Sequence, residues 1–325
     1  MSEGKDGVPK DRTPAGILLF LLACSVLLVL RWKTDTLLLL AVLFWGINFP
    51  VIKGPMEVMH PHVVNVLRFI FSALVLGTFH YRAQRHAAQR FFAPLRRHGK
   101  ALVGLSLIGY VLYQVCFILG VANTQAGMAA LIIASAPLWT AIITQVQGTE
   151  RLSVWGWLSL GVTISGTLLV VFQDDTQLAT EGTALFGNLM MLGAAFCWGA
   201  YTALSKKTLQ HVGAISMTFL NLVIAAPALI LLAIPYWDQA AFAALDTALW
   251  LAIIYSGAFS VGIAIVFWNI SVKHTSAAYT SAFGNLVPVV ALIAGVLFLN
   301  EVITWQQIVG GALIIAGLYG MRRLG

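Results

Sequence analysis

Long apolar stretches separated by short polar or Gly/Pro-containing breaks make up most of the chain. A helix needs about 20 mostly apolar residues to cross the hydrocarbon core of a bilayer, and stretches of about that length recur along the sequence. They lie at about 36–53, 62–80, 101–121, 126–146, 154–172, 184–204, 214–234, 248–270, 277–299 and 305–321. The pattern predicts an all-α integral membrane protein with ten transmembrane helices.

Part of this pattern is present twice. Residues 123–172 and 274–323 align without a gap at an offset of 151 positions, and a weaker match at an offset of 153 relates earlier positions of the two halves. The first offset superposes Thr124 on Thr275, Pro137 on Pro288, Glu150 on Glu301 and Gly166 on Gly317, and the second pairs Trp45 with Trp198. Duplicated apolar halves are typical of secondary transporters, in which two structural repeats meet around a site near the bilayer midplane.

The duplication divides the chain into three segments. An N-terminal extension occupies 1–35, a first five-helix repeat occupies 36–172, and a second occupies 184–321. Because each repeat has an odd number of spans, the second is expected to be inserted upside down relative to the first. The sequence therefore predicts two inverted five-helix repeats around a central cavity.

Composition supports a membrane protein. Hydrophobic residues form 59% of the chain and charged residues 10%, with a mean hydropathy of +0.88, whereas a soluble domain carries about 25% charged residues. The three cysteines lie within apolar stretches, where a packing role is a better interpretation than a disulfide. The pI near 9.5 comes from basic residues between those stretches, so topology explains it and no nucleic-acid partner is predicted.

The basic residues are distributed unequally between the two ends of the predicted spans. If the stretch beginning at Thr36 enters from the cytoplasm, twelve Lys and Arg residues lie in cytoplasmic segments, six of them within 81–100, and only Lys53 lies on the other side. An excess of Lys and Arg marks cytoplasmic loops. The asymmetry predicts a multi-pass inner-membrane protein in which both termini of the ten-helix unit are cytoplasmic.

A further apolar stretch at 15–30 does not fit this orientation, because basic residues flank it on both sides. It has four interpretations: an extra N-terminal membrane helix with an external N-terminus, an interfacial helix, a product of an upstream start, or a cleaved leader with a poor lipobox. The sequence leaves all four open.

Short motifs accompany the repeats. They are Phe44-Trp45-Gly46-Ile47-Asn48-Phe49 in the first span, Leu67-Arg68-Phe69 in the second, and two stretches of the form T-x-A…P…E. In their order and spacing, over about residues 36–321, the chain resembles the EamA family of the drug/metabolite transporter superfamily. The resemblance implies ten helices in two inverted bundles around a cavity, exporting small metabolites such as amino acids. Relatives also move sugars, nucleotide-sugars, phosphorylated metabolites and cationic drugs, so the resemblance selects no substrate.

Polar and aromatic residues in the middle of spans are the candidates for substrate binding. Trp45 and Asn48 share a helical face, and Trp198 and Tyr201 repeat that face in the second half. A tryptophan at a span end belongs to an interfacial belt, but these two lie near the middle of their stretches, which favours the cavity. The further candidates are Arg68, Tyr110, Gln114, Trp268 and Asn285.

Arg68 is the most informative of these candidates. An arginine at the centre of a span costs about 2.5–3.5 kcal/mol on insertion scales. Two interpretations are open: a partner for an anionic or carboxylate group of the substrate, or a structural arginine that snorkels or binds backbone carbonyls. Tyr110 and Gln114 lie on an aromatic stripe of the third span, for which packing is the competing interpretation.

Three prolines inside apolar stretches, Pro50, Pro137 and Pro288, are the predicted hinges. A proline within a helix removes a backbone hydrogen bond and frees a carbonyl. Pro137 and Pro288 occupy matching positions of the repeats, and interrupted helices at matching positions point to a transport site. A packing kink is the alternative interpretation.

Two other repeated features favour structural roles. Glu150 and Glu301 lie at span ends, beside hydroxyl residues that can cap the following helices, and are interpreted as anchors. The fifth and tenth spans carry rows of small residues, among them Gly161 and Gly317. Small residues let helices approach closely in lipid. These two spans are therefore predicted to lie outside the transport path, as an intramolecular scaffold or as the interface of a homodimer.

No Asp or Glu lies inside any of the ten predicted spans. Proton-coupled carriers commonly use such residues as relays, so their absence favours a neutral, zwitterionic or amphipathic substrate. His60 and His62 lack an obvious third ligand, and no metal site or cofactor is predicted. Motifs of intramembrane enzymes are absent. The predicted partners are a small-molecule substrate and the lipid bilayer; a passive channel and a lipid-modifying enzyme are the alternatives to a carrier.

Overall fold

The computed structural model describes residues 14–86, 92–123, 129, 132–171, 182–238, 242–290 and 305–324. Over these ranges the regular structure is helical and includes no strand, so the predicted all-α class is confirmed. In chain order the helices are α1 (Pro14–Val58), α2 (Pro61–His86), α3 (Ala93–Asn123), α4 (Ala136–Val146), α5 (Val154–Val171), α6 (Gly182–Leu209), α7 (Ala214–Ala233), α8 (Thr247–His274), α9 (Ala277–Ala282) and α10 (Trp305–Leu324).

Several of these helices are long and apolar enough to cross a bilayer. In the part of the chain that is described, five meet that criterion: Lys33–Val58 of α1, Pro61–Arg85 of α2, all of α3, α7 with the turn that follows it, and all of α8. Shorter apolar helices are present in α4, α5 and α10. These helices make the chain a multi-pass membrane protein, and the count of ten spans stays a prediction.

The apolar stretch at 15–30 is continuous with the first span. α1 runs from Pro14 to Val58 over 45 residues, a length of about 68 Å at 1.5 Å per residue, whereas the hydrocarbon core is about 30 Å thick. Within α1, Lys33–Val58 is a candidate membrane span. The structure therefore shows 15–30 as the first part of α1 and not as a separate helix.

Contacts between helix ends define one face of the bundle. His60, just before α2, stacks on Tyr236, just after α7, with ring centroids 3.5 Å apart. Near the other end of α2, His80 Nδ1 lies 3.0 Å from Ser216 Oγ in the first turn of α7. α2 and α7 are therefore antiparallel. We call the end of the bundle that carries His60 and Tyr236 the histidine face.

The opposite end of the bundle is the basic face. Lys206 and Lys207 lie in the last turn of α6, and Lys273 lies in the last turn of α8. Gln210, which follows α6, donates a hydrogen bond to the Lys273 carbonyl at 3.4 Å, so these helix ends are neighbours. Basic side chains near a helix C-terminus interact favourably with the helix dipole.

The duplication extends to an irregular backbone segment. α3 contains a π-helical segment at Leu107–Leu112, and α8 contains one at Ser256–Ile263. The offset of 151 positions found in the sequence carries the first segment onto 258–263, within the second. π-Helical turns shift the faces of a helix and occur often at functional sites. The two halves therefore share a local distortion as well as a sequence pattern.

α5 packs against α10 through residues small enough for backbone contact. A Cβ atom added at Gly166 would lie 2.6 Å from the Gly310 carbonyl oxygen, and one added at Gly317 would lie 2.7 Å from the Ser159 carbonyl oxygen. The predicted small-residue row thus lies against a neighbouring helix of the same chain. Gly161 takes no part in this contact, because no described atom lies within 4 Å of a Cβ added there. A homodimer through these helices stays a prediction.

Candidate substrate cavity

A cavity of about 90 Å³ lies between helices of the two repeats. Its wall combines aromatic rings with a smaller number of polar side chains, and α1 to α4 of the first repeat face α6, α8 and α9 of the second. The aromatic residues are Trp45, Phe49, Tyr113, Phe117, Trp198 and Trp268, and the polar ones are Asn48, Arg68, Gln114, Ser260 and Ser281. Among the described residues, no Asp or Glu lines the cavity.

One side of the cavity is a layer of three tryptophans. Trp45, Trp198 and Trp268 pack with ring centroids 5.0 to 5.6 Å apart, and we call them the tryptophan layer. Trp45 Nε1 donates to the Ser260 carbonyl at 3.0 Å, and Trp268 Nε1 donates to Thr202 Oγ1 at 3.1 Å. A buried indole N–H normally finds such a partner. The layer is therefore fixed in orientation, and it lies inside the bundle rather than in a lipid-facing belt.

Arg68 points into the interior of the protein. Its exposed fraction is 2%, and its Nη1 donates to Asn65 Oδ1, one turn earlier on α2, at 3.2 Å. Its Nε has no hydrogen-bond partner, and no carboxylate among the described residues pairs with it. A side chain buried in this way does not snorkel to the membrane surface. The guanidinium therefore lines the cavity with donor capacity still free.

Arg68 is also held by the backbone around it. A Cβ atom added at Gly257, in the π-helical segment of α8, would lie 3.0 Å from the Arg68 Cα and closer still to its carbonyl oxygen. Only glycine permits that approach. α8 therefore packs directly against α2 at the turn that carries the arginine.

Two free acceptors face the same cavity. Asn48 Oδ1 and Gln114 Oε1 are buried, and neither has a hydrogen-bond partner in the described structure. A buried polar atom without a partner costs about 1–3 kcal/mol, so such atoms call for an explanation. α1 and α3 each supply an acceptor oxygen to the cavity, and α2 supplies the Arg68 guanidinium as a cationic donor. A polar ligand could form hydrogen bonds with all three groups.

Three of the predicted site residues lie outside the cavity wall. Tyr110 and Tyr201 pack against each other with ring centroids 5.6 Å apart, and Tyr201 Oη donates to Asn269 Oδ1 at 3.2 Å. Asn285 is fully buried beside Gly284, which does line the cavity, and its amide has no partner among the described residues.

The prolines differ in their relation to the cavity. Pro137 lines it and lies in the first turn of α4, where a proline costs no hydrogen bond. Pro288 is buried two residues after a 3₁₀ turn, Phe283–Leu286, that follows α9. Pro50 lies on the exposed side of α1. Each of the two matching prolines therefore lies at or near the end of a helix that contributes to the cavity wall.

A match to a family of known proteins covers both repeats. The model of the EamA-like transporter family matches residues 32–172 and 185–323. The chain belongs to the EamA-like transporter family. The resemblance drawn from the sequence motifs is confirmed, and with it the description of the chain as a membrane transporter.

Individual relatives of this EamA-like chain are similar over most of their length. The uncharacterized transporter YoaV of Bacillus subtilis is 25% identical over 85% of this chain and 92% of its own. The probable amino-acid metabolite efflux pump of Escherichia coli is 27% identical over 88% and 94%, and that of Salmonella typhimurium is 26% identical over the same shares. A crystal structure with 18% identity superposes with a TM-score of 0.73 over 89% of this chain and 97% of that one, so the fold is shared.

On the basic face the EamA repeats are tied together by one carboxylate. Glu150, between α4 and α5, pairs with Lys206 Nζ at 2.5 Å and accepts hydrogen bonds from the backbone nitrogens of Ala277 and Ala278, at 2.8 and 3.1 Å, where α9 begins. A carboxylate at a helix N-terminus is favourable. Glu150 therefore acts as an anchor, as predicted, by connecting the first repeat to the second. Its repeated counterpart, Glu301, lies outside the described residues.

The paired histidines of the histidine face make local contacts. The His62 backbone nitrogen donates to His60 Nδ1 at 3.3 Å, and both rings lie beside Tyr236. Desolvation by burial lowers the pKa of His60 below its usual value. The neutral ring suits this position, because an unprotonated Nδ1 accepts the His62 hydrogen bond.

The sequence predictions left out several residues of the cavity wall. Phe49 and Tyr113 are the sequence neighbours of the predicted Asn48 and Gln114. The polar and aromatic stripes of these helices are the sequence signal that indicates this region. Ser260 contributes its backbone carbonyl to Trp45 and belongs to the π-helical segment of α8. Regular helical spacing assigns faces incorrectly across such a segment, so periodicity alone does not find Ser260.

Proposed function

We propose that the chain exports small zwitterionic metabolites of the amino-acid class across the cell inner membrane by alternating access at this cavity. The observation that carries the proposal is the combination of a free donor on Arg68 with free acceptors on Asn48 and Gln114. A zwitterion carries the two complementary groups, an acceptor carboxylate and a donor ammonium.

Each group of such a substrate has a partner of suitable chemistry. A guanidinium binds a carboxylate through charge-assisted hydrogen bonds, often as a bidentate pair. The amide oxygens of Asn48 and Gln114 accept hydrogen bonds from an ammonium group. The indole faces of the tryptophan layer attract a cation through their quadrupoles and also offer apolar surface to a side chain.

The absence of acidic lining residues among the described positions argues against a net cation as the substrate. A cation would meet Arg68 with no compensating carboxylate, and like charges in a low-dielectric site repel strongly. The relatives named as amino-acid metabolite efflux pumps support both the substrate class and the outward direction. The transporter names of the relatives also favour transport over catalysis.

Purified protein in liposomes tests the proposal. Vesicles loaded with one amino acid are offered a radiolabelled panel of three kinds: amino acids, the matching amines without a carboxylate, and the matching carboxylic acids without an amine. We expect saturable counterflow of amino acids and little flux of either matched analogue. Equal flux of the amines would exclude the role of Arg68, and linear, unselective flux would show a channel.

The orientation has its own test, in a background without cysteines. Gln210 lies at the basic face and Ala243, between α7 and α8, at the histidine face, and both are exposed. In intact cells a membrane-impermeant thiol reagent is expected to label the Ala243→Cys variant and not the Gln210→Cys variant, because the basic face is cytoplasmic. The reverse pattern would invert the proposed orientation and make the basic face external.

A further inference from the structure

A second polar cluster lies behind the tryptophan layer, away from the cavity. Tyr201 Oη and Asn269 exchange hydrogen bonds at 2.8 and 3.2 Å, and Asn269 Nδ2 also donates to Thr218 Oγ1 at 3.0 Å. Asn221 follows Thr218 by three residues on the same face of α7. All four side chains are fully buried, and we call them the asparagine cluster.

One member of the asparagine cluster has an unused side chain. Oδ1 and Nδ2 of Asn221 make no hydrogen bond of normal geometry with the described residues, although the side chain lies close enough to the Tyr201 hydroxyl to interact with it. Leaving both atoms of a buried amide unpaired is costly, and a leucine of similar size would avoid the cost. The Asn221 amide therefore has hydrogen-bonding capacity available for a polar ligand.

The duplication relates this cluster to the cavity. At the offset of 153 that pairs Trp45 with Trp198, Asn48 corresponds to Tyr201 and Arg68 corresponds to Asn221. Asn48 and Arg68 line the cavity, whereas their counterparts Tyr201 and Asn221 do not.

The two sets lie on opposite sides of the tryptophan layer. α1 runs from the basic face toward the histidine face, so Asn48 lies on the histidine side of Trp45. α6 runs the other way, so Tyr201 lies on the basic side of Trp198. Arg68 and Asn221 are each seven residues from the first residue of their antiparallel helices, about 10 Å of rise from opposite faces.

From this arrangement we infer that Tyr201, Asn221 and Asn269 form a second substrate subsite, which receives the polar head of the transported molecule when the protein opens toward the basic face. The inference rests on the proposed alternating access. It adds a substrate site for the state that is open toward the basic face. The subsite takes a small zwitterion, because each asparagine amide offers both an acceptor oxygen and a donor NH₂ group. It lacks a counterpart to the Arg68 charge, so it binds by neutral hydrogen bonds.

Cysteine reactivity tests the subsite without any assumption about the substrate. In a cysteine-free background, the variants Asn221→Cys and Leu220→Cys place thiols at adjacent, equally buried positions of α7. An impermeant thiol reagent is applied to oriented proteoliposomes from the basic face. We expect Asn221→Cys to react at least about tenfold faster than Leu220→Cys, since only position 221 becomes lined with solvent. Equal reactivity at the two positions would overturn the inference.

Transport kinetics provide a second, independent measurement. The Asn221→Leu variant is expected to raise KM about tenfold for substrate supplied at the basic face, equivalent to about 1.4 kcal/mol, and to leave KM at the histidine face within about twofold. Ser106→Ala is the control, because the hydrogen bond described for Ser106 Oγ goes to the Asn221 backbone carbonyl and not to its side chain. Equal changes at both faces would show a structural role and contradict the subsite. If no amino acid is transported but Asn221→Cys still reacts selectively, the proposed function fails and the subsite stands.

Discussion

Trp45 and Trp198 occupy equivalent positions of the two repeats and pack edge to face, with ring centroids 5.5 Å apart and ring planes at 88°. This geometry directs the positive edge of one indole toward the negative face of the other. Each ring also contacts Trp268. A residue pair generated by the duplication therefore joins the repeats at the boundary between the cavity and the asparagine cluster.

The first prediction is an energetic coupling between these two rings. In a double-mutant cycle with Trp45→Leu and Trp198→Leu, the coupling free energy is expected to be about 0.5–1.5 kcal/mol, the range for aromatic pairs beyond their buried area. The measurement is the free energy of unfolding in detergent micelles. Trp155, exposed on α5, gives the control cycle with Trp198, which should be additive within about 0.5 kcal/mol. Additivity in the Trp45 cycle as well would contradict the packing.

The second prediction concerns the charge of Arg68. Arg68→Gln is expected to raise KM for a zwitterionic substrate at least tenfold, because hydrogen bonds to charged groups contribute about 1.5–3 kcal/mol. The KM of Arg68→Lys should lie between those of the unmodified protein and Arg68→Gln, because lysine keeps the charge but loses the planar donor pair. Uptake into proteoliposomes measures both variants. Arg82→Gln, at an exposed position of the same helix, is the control, and an equal loss in that variant would remove Arg68 from the site.

The third prediction ranks the contacts of Glu150. Glu150→Ala removes the ion pair with Lys206 and two acceptors for backbone nitrogens of α9, and is expected to cost about 1.5–3 kcal/mol of unfolding free energy. Lys206→Met removes only a partly exposed ion pair and should cost less than about 1 kcal/mol. The neighbouring Lys207 is exposed, and Lys207→Met should have no measurable effect. A larger loss at Lys206 than at Glu150 would show that the helix N-terminus does not need the carboxylate.

The fourth prediction compares two glycines of α5. Alanine at Gly166 meets backbone atoms of α10 at 2.6 and 2.8 Å, so Gly166→Ala should cost about 1–3 kcal/mol, the range for overpacking. Alanine at Gly161 meets no described atom within 4 Å and should be neutral or stabilising by up to about 1 kcal/mol, because alanine favours helix. Thermal unfolding in detergent distinguishes the two. Equal destabilisation by both variants would mean that Gly161 also packs, against atoms outside the described residues.

Much of the architecture can be predicted from the sequence, because a chain segment surrounded by lipid must be apolar over the length of a membrane-spanning helix. A backbone in hydrocarbon must satisfy its own hydrogen bonds, so apolar stretches of sufficient length specify helices, and their order specifies the repeats. The same constraint indicates that Arg68 lies inside the bundle, because a cation within such a stretch has to face protein. The sequence indicates the same for Asn48, Gln114, Trp45 and Trp198, because each lies mid-span, where lipid offers no hydrogen-bond partner.

The sequence by itself determined the helices, the duplication and the short list of polar residues that lipid cannot accommodate. Only the tertiary structure decided which of those residues share the cavity, separating Asn48 and Arg68 from Tyr201 and Asn221 on opposite sides of the tryptophan layer. It also decided that Gly166, and not Gly161, contacts α10, and that Glu150 holds the first turn of α9. Periodicity fixes the face of a regular helix but not its rotation against its neighbours, and the π-helical segments of α3 and α8 shift that face again. The contacts between side chains depend on how the two repeats pack together. Those contacts join residues far apart in the sequence, so a local sequence pattern does not predict them.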